Sequence, residues 1–220
     1  MNLCDTYRPA RLADVAGNPK PLAILSALVA RPFPSAWLLE GPSGIGKTSA
    51  ALAVAGALAS GPDTLQMVGP DVTADSLRAA WDTLRLCAWR AGGWRILIID
   101  EADAMTRTAQ TLALGYLEAI PPRAIVLLTS NEGTDSWEPR LLSRLKRLHF
   151  TAQGMANAGA ARLTAIARAE GYALPERDAV RLMRDAGNNV RSATQALELE
   201  IMSGSLAHVS GQFANATEAA

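Results

Sequence analysis

Gly41-Pro42-Ser43-Gly44-Ile45-Gly46-Lys47-Thr48 decides the reading of this chain. The apolar run Ala36-Trp37-Leu38-Leu39-Glu40 precedes it and has the length of a buried strand. Ser49 to Ser60, rich in alanine and leucine, follows it as a helix. Strand, glycine-rich loop and helix form the context in which this pattern becomes a phosphate site. Gly41, Gly44 and Gly46 let backbone N–H groups curl around phosphate oxygens, and the helix adds its positive N-terminal end. Lys47 is expected to reach the β/γ-phosphates as a point charge, and the Thr48 hydroxyl to ligate Mg²⁺. Pro42, Ser43, Ile45 and Ser49 complete the cradle. The residues therefore predict a bound nucleoside triphosphate.

A phosphate loop alone does not imply hydrolysis, so the other strand ends matter. Ile96-Leu97-Ile98-Ile99-Asp100-Glu101 is an apolar run closed by two carboxylates, as in a strand buried on both faces of a parallel sheet. Asp100 is expected to hold Mg²⁺ from outside its direct ligands, through bound water or Thr48, and Glu101 to polarise an attacking water. Acidic residues also suit a helix N-terminus, but the upstream loop favours the catalytic assignment. Asp103 reads as a solvated first-turn residue. A third run, Ala124 to Thr129, leads into Ser130-Asn131, at the strand end where open α/β sheets bind ligands. Asn131 is assigned to orienting the water with Glu101. The alternative is an asparagine that starts the turn Asn131-Glu132-Gly133.

Composition narrows the class. Lysine and arginine total 21 against 21 acidic residues, so no global basic field announces nucleic acid. A DNA partner would have to meet a local patch. Cys4 and Cys87 make neither a disulfide framework nor a four-cysteine zinc site. No apolar run approaches the roughly 20 residues of a membrane span, and no signal peptide is visible, which predicts a cytoplasmic protein.

Coarse elements follow from pattern and punctuation. Asp5 to Gly17 reads as an arm, Pro19 to Ala30 as a helix and Leu65 to Val68 as a strand. A helix capped by Thr73 or Asp75 is expected to run to about Ala91, burying Leu77, Trp81, Leu84, Cys87 and Ala88; Trp89 is read as packing too. Thr106 caps a helix to about Ala119. Beyond Phe150 the pattern is helical: Ala156 to Glu170, Glu176 to Ala186 and Val190 to Met202. Strands followed by helices indicate an α/β body and a second, helical domain.

With these motifs in this order, the chain resembles the clamp-loader branch of the AAA+ ATPases, the small subunits of replication factor C and the bacterial gamma/tau subunit. The resemblance rests on Tyr7-Arg8-Pro9, Leu12 to Asn18, Ile99 to Thr106 with Ala109-Gln110, and Leu117-Glu118 before Pro121-Pro122. Pro139-Arg140-Leu141-Leu142-Ser143-Arg144 and Gly187 to Ala193 extend it across most of the chain. It implies an AAA+ P-loop core over 1–152, a three-helix lid over 153–203 and a tail over 204–220, polar apart from Phe213. Tyr7, Arg8, Pro9 and Gly17 would lie against the adenine. Arg144 would act as an arginine finger on the neighbouring subunit's γ-phosphate, and Arg191 as a sensor on its own. The implied cofactors are ATP and Mg²⁺. Zinc is not expected, because Gly61 to Gly69 lacks the cysteines of gamma/tau relatives.

The implied partners are further subunits in a ring or partial ring, a sliding clamp, and primed or double-stranded DNA. A helicase loader or a Holliday-junction branch-migration motor shares the same motifs. Three departures stand out. The sequence stops where the family's helical collar begins. Leu114 and Gly115 replace the basic residues that track DNA, with Arg107 as a candidate substitute. Leu145 replaces the usual cysteine after the Ser-Arg pair.

Overall fold

The computed structural model describes residues 2–89, 91–131 and 137–206. Its described helices are α1 (Leu3–Thr6), α2 (Pro19–Ala30), α3 (Lys47–Leu58), α4 (Ala74–Leu84), α5 (Arg107–Leu117), α6 (Pro139–Leu142), α7 (Met155–Ala169), α8 (Glu176–Asp185) and α9 (Val190–Met202). The strands are β1 (Ser35–Glu40), β2 (Thr64–Val68), β3 (Arg95–Asp100), β4 (Ala124–Ser130) and β5 (Lys146–His149). The chain divides into two compact units, Pro9–Thr151 and a second made of Met1–Arg8 with Ala152–Ala220.

The first unit is a parallel sheet in the order β2-β3-β4-β1-β5. Its three central strands are the apolar runs of the sequence, and every residue of β1 and β4 is buried. On one face, Leu38, Leu97, Ile99, Val126 and Leu128 pack with Leu77, Trp81 and Leu84 of α4 and Ala109, Ala113 and Leu117 of α5. Trp81 stacks on Tyr116 with ring centroids 5.0 Å apart. The buried face of α3 is mostly alanine, which lets a helix lie close to a neighbour. Thr106 caps α5, its side chain accepting from the Ala109 N–H.

Two parts of this unit depart from expectation. Helix α4 stops at Leu84 rather than near Ala91. The cause is a buried charge pair behind it. Arg95 donates to the carbonyls of Leu86 (3.1 Å) and Cys87 (2.6 Å), while Asp63 accepts from the Trp89 N–H at 2.9 Å. Asp63 and Arg95 lie 3.6 Å apart. Backbone groups engaged in this way are lost to a helical ladder, so the chain turns outward. Cys87 is therefore exposed and Trp89 is 77% exposed, correcting the packing roles expected for both. Strand β5 is the other departure. Lys146-Arg147-Leu148-His149 holds one apolar residue, too few to register as a run, yet it forms an edge strand with Trp37 opposite Lys146 and Glu40 opposite His149. Charged residues are common on such edges.

In the helical unit, α7, α8 and α9 begin and end within one residue of the expected positions. A Cβ at Gly159 would collide with the Met183 side chain, so this glycine permits a close approach of α7 and α8. The first residues of the chain belong here. Leu3 is fully buried, and its N–H faces Glu198 Oε2 at 3.4 Å. The Tyr7 hydroxyl donates to Glu170 at 2.6 Å, and Arg162 donates to the Tyr7 carbonyl. Helix α1 and the 3-10 turn Leu12–Asp14 thus replace the plain arm expected from Asp5 to Gly17. Phe213 and the tail from residue 207 onward lie outside the described residues, as does the Glu132-Gly133 turn.

Candidate nucleotide site

The carboxyl ends of β1, β3 and β4 converge on the glycine-rich loop. Gly41 has φ 141°, and a Cβ there would collide with the Phe150 carbonyl, so only glycine fits. Gly46, at φ 100°, turns the chain into α3. Its open side lies against Val15, itself 6% exposed, which fixes the opening segment against the loop.

Lys47 is buried, and its ammonium donates to the carbonyls of Gly41 (2.7 Å) and Pro42 (2.6 Å) and to Asn131 Oδ1 (3.0 Å). The Thr48 hydroxyl donates to Asp100 Oδ1 at 2.8 Å. Thr129 donates to the same carboxylate oxygen and accepts the Glu101 N–H at 3.1 Å. Four residues singled out in the sequence therefore meet at the loop as two neighbouring hydrogen-bonded pairs, Lys47 with Asn131 and Thr48 with Asp100. A hydroxyl and a carboxylate side by side, next to a phosphate cradle, suit Mg²⁺, which takes one or two protein oxygens plus phosphate oxygens and waters.

Glu101 stands at the edge of this cluster, exposed and in the left-handed conformation with φ 52°. Side-chain residues rarely adopt that region, and such strain collects at functional sites. Its carbonyl lies where a Cβ of Gly69 would be, so Gly69 is required for the approach. Asp103, expected to be solvated, instead accepts the Asn131 N–H at 3.2 Å.

Sequence reasoning missed Thr129, Gly69 and Asn18. Thr129 was in principle available: β3 and β4 pair Ile99 with Leu128, and one further step sets Asp100 beside Thr129. Asn18 accepts the Thr151 N–H at 2.8 Å and donates to its carbonyl at 3.3 Å, joining the opening segment to the chain after β5. It follows Gly17, and both have positive φ.

The remaining expected residues are not part of the cluster. Arg144 is exposed and pairs with Glu118 at 3.2 Å and with the Ser143 hydroxyl at 3.2 Å. Arg191 lies in the first turn of α9, in the helical unit, where its carbonyl faces the Cys4 thiol. Tyr7 and Arg8 also belong to that unit, with Arg8 paired to Asp5 at 2.8 Å, and Pro9 opens the other. Leu114 is half-buried and Gly115 exposed on α5, and Arg107 stands 3.9 Å from Glu138. Among the described residues, no helix is long and apolar enough to cross a membrane.

A profile of the ATPase family associated with various cellular activities (AAA) matches residues 37–152, more than half of the 220, and the chain belongs to that family. Its sequence is similar to replication factor C subunit 3 of Blastobotrys adeninivorans, 30% identical over 156 residues, covering 67% of this chain and 45% of that protein. The replication factor C small subunit of Halobacterium salinarum is 29% identical over 199 residues, covering 88% of this chain and 61% of that protein. The chain thus spans 45% and 61% of the length of these two curated relatives. Among solved structures, the Thermotoga maritima RuvB Holliday junction branch migration motor aligns with a TM-score of 0.72 at 18% identity, over 90% of this chain and 67% of that one. That likeness concerns the fold.

Proposed function

We propose that this chain is an ATP-hydrolysing subunit of a clamp-loader-type assembly that acts on DNA in replication, in the cytoplasm. The observation that carries this reading is the Thr48–Asp100–Thr129 cluster beside the buried Lys47 at the mouth of the phosphate loop, in a chain whose curated relatives are replication factor C subunits.

In this reading the loop N–H groups and Lys47 bind the ATP phosphates, and Lys47 trades its carbonyl partners for the β/γ-oxygens. Thr48 and Asp100 hold Mg²⁺, which when bound neutralises charge on the phosphate oxygens. Glu101 polarises a water that Asn131 helps orient; the water oxygen bonds to the γ-phosphorus as the bond to the ADP oxygen breaks, releasing ADP and phosphate. Tyr7, Arg8, Pro9 and Gly17 border the adenine. Arg144 completes the site of a neighbouring subunit, and Arg191 contacts the γ-phosphate of its own. A finger of this kind is worth about 10³–10⁵ in rate, so turnover depends on assembly into a ring or partial ring.

The test is ATP turnover by the purified protein at several concentrations, alone and with primed-template DNA and the sliding clamp of the same source. Turnover that rises with protein concentration and responds to DNA plus clamp supports the proposal. Stimulation by DNA with no response to clamp assigns the motor to helicase loading or branch migration instead.

A further inference from the structure

We propose that Arg147 and Glu40 form a charge-compensating pair that positions the phosphate loop, with Arg147 cancelling a carboxylate that would otherwise oppose a bound polyphosphate. Glu40 is the last residue of β1, and Gly41, the first of the loop, follows about 3.8 Å of backbone later. Its side chain is 12% exposed. A carboxylate so placed is expensive to bury without a cation. It also sets a negative charge beside a cradle whose work is to attract anions.

Arg147 answers both problems. It lies opposite Leu38 on β1 while Glu40 lies opposite His149, so Glu40 and Arg147 share one face of the sheet on adjacent strands. The guanidinium engages the carboxylate through both prongs, Nε to Oε1 at 3.1 Å and Nη2 to Oε2 at 2.8 Å. This planar two-bond match is one that lysine cannot reproduce. The hydrogen bond to Glu40 raises the Arg147 pKa above its usual value, so the cation persists at any working pH. The residue that follows the same strand reinforces the placement. The Phe150 N–H donates to the Glu40 carbonyl at 2.8 Å, and the Phe150 carbonyl occupies the space that a Gly41 Cβ would need. Phe150 thus pins the entry to the loop, and Arg147 on the strand before it neutralises the carboxylate of Glu40.

The inference rests on the loop binding ATP, and it makes an electrostatic statement that a simple structural staple would not. A doubly charged MgATP at roughly 10 Å from an uncompensated carboxylate, at an effective dielectric of roughly 40, loses about tenfold in affinity. The experiment compares the full chain with Arg147→Gln, Glu40→Gln and the double variant. Dissociation constants for MgATP and MgADP are measured at low and high salt, alongside thermal midpoints. Arg147→Gln should weaken MgATP about tenfold at low salt, weaken MgADP less, and recover in part at high salt. Glu40→Gln should bind MgATP at least as tightly as the parent. The double variant should return to within about twofold of the parent.

A double variant that binds as poorly as Arg147→Gln, or a loss independent of salt and of phosphate count, overturns the proposal. If Arg147→Gln does not fold, Glu40→Gln decides: weaker binding of MgATP than the parent overturns it, and equal or tighter binding supports it. A parent protein that binds no ATP overturns the nucleotide reading itself, an outcome distinct from all of these.

Discussion

Lys47 and Thr48 are held inside one body by partners 2.6 to 3.0 Å away, whereas Arg144 stands on its surface with an exposed glutamate and a serine for company. The first group is bonded to residues at the ends of the sheet's strands, Lys47 to Asn131 and Thr48 to Asp100, which the 2% exposed Thr129 also holds. The second group, Arg144 together with the exposed Glu101, has little around it. With its buried polar groups satisfied, this part is held in place, and on binding Lys47 alone has carbonyl partners to exchange for phosphate oxygens. An exposed arginine with a weak surface partner has its charge available for another molecule. Under the proposed function, the contrast separates a binding part carried by one chain from a hydrolytic part that a second would complete.

The largest expected effect tests that division directly. Arg144→Ala should lower turnover by about 10³–10⁵, with ATP affinity within a few-fold of the parent, as read by steady-state rates and equilibrium binding. A matching loss of affinity would place Arg144 in the binding part and erase the distinction. Glu101→Gln should cost about 10²–10⁴ in turnover, again with binding retained. Lys47→Ala should act on the other side, raising the ATP dissociation constant by about 10–100-fold through the loss of charge-assisted hydrogen bonds. The mildest change is Thr129→Val, which strips a hydroxyl from Asp100 and from the Glu101 N–H. It should lower stability by about 1–3 kcal/mol, measured by denaturant unfolding, and reduce turnover more than affinity, because it loosens Asp100 and Glu101 together.

Much of the binding part could be read from the sequence because it is local. Gly41 to Thr48 is contiguous, its glycines answer to backbone geometry, the apolar run before it reports a buried strand and the alanine-rich stretch after it a helix. The polar ends of two further runs marked Asp100, Glu101 and Asn131. What escaped was set by pairing across the sheet. Thr129 gained its role from lying next to Asp100 on a neighbouring strand. Gly69 gained its own from the close pass of the Glu101 carbonyl. Strand β5 was invisible because an edge strand with charged side chains carries no apolar run. The early end of α4 depended on Arg95, a residue some ten positions further along that removes the backbone groups its last turns would have used. The hydrophobic pattern continued past Leu84, and the helix did not.

The most direct measurement mixes two inactive proteins, Arg144→Ala and Glu101→Gln, each able to bind ATP. An interface that joins Glu101 from the first to Arg144 from the second has an intact hydrolytic part, while interfaces within either pure variant do not. The account predicts that turnover reappears on mixing and grows with total protein concentration. Mixtures in every ratio that stay as inactive as the separate variants, under conditions where the parent protein turns over, would contradict it.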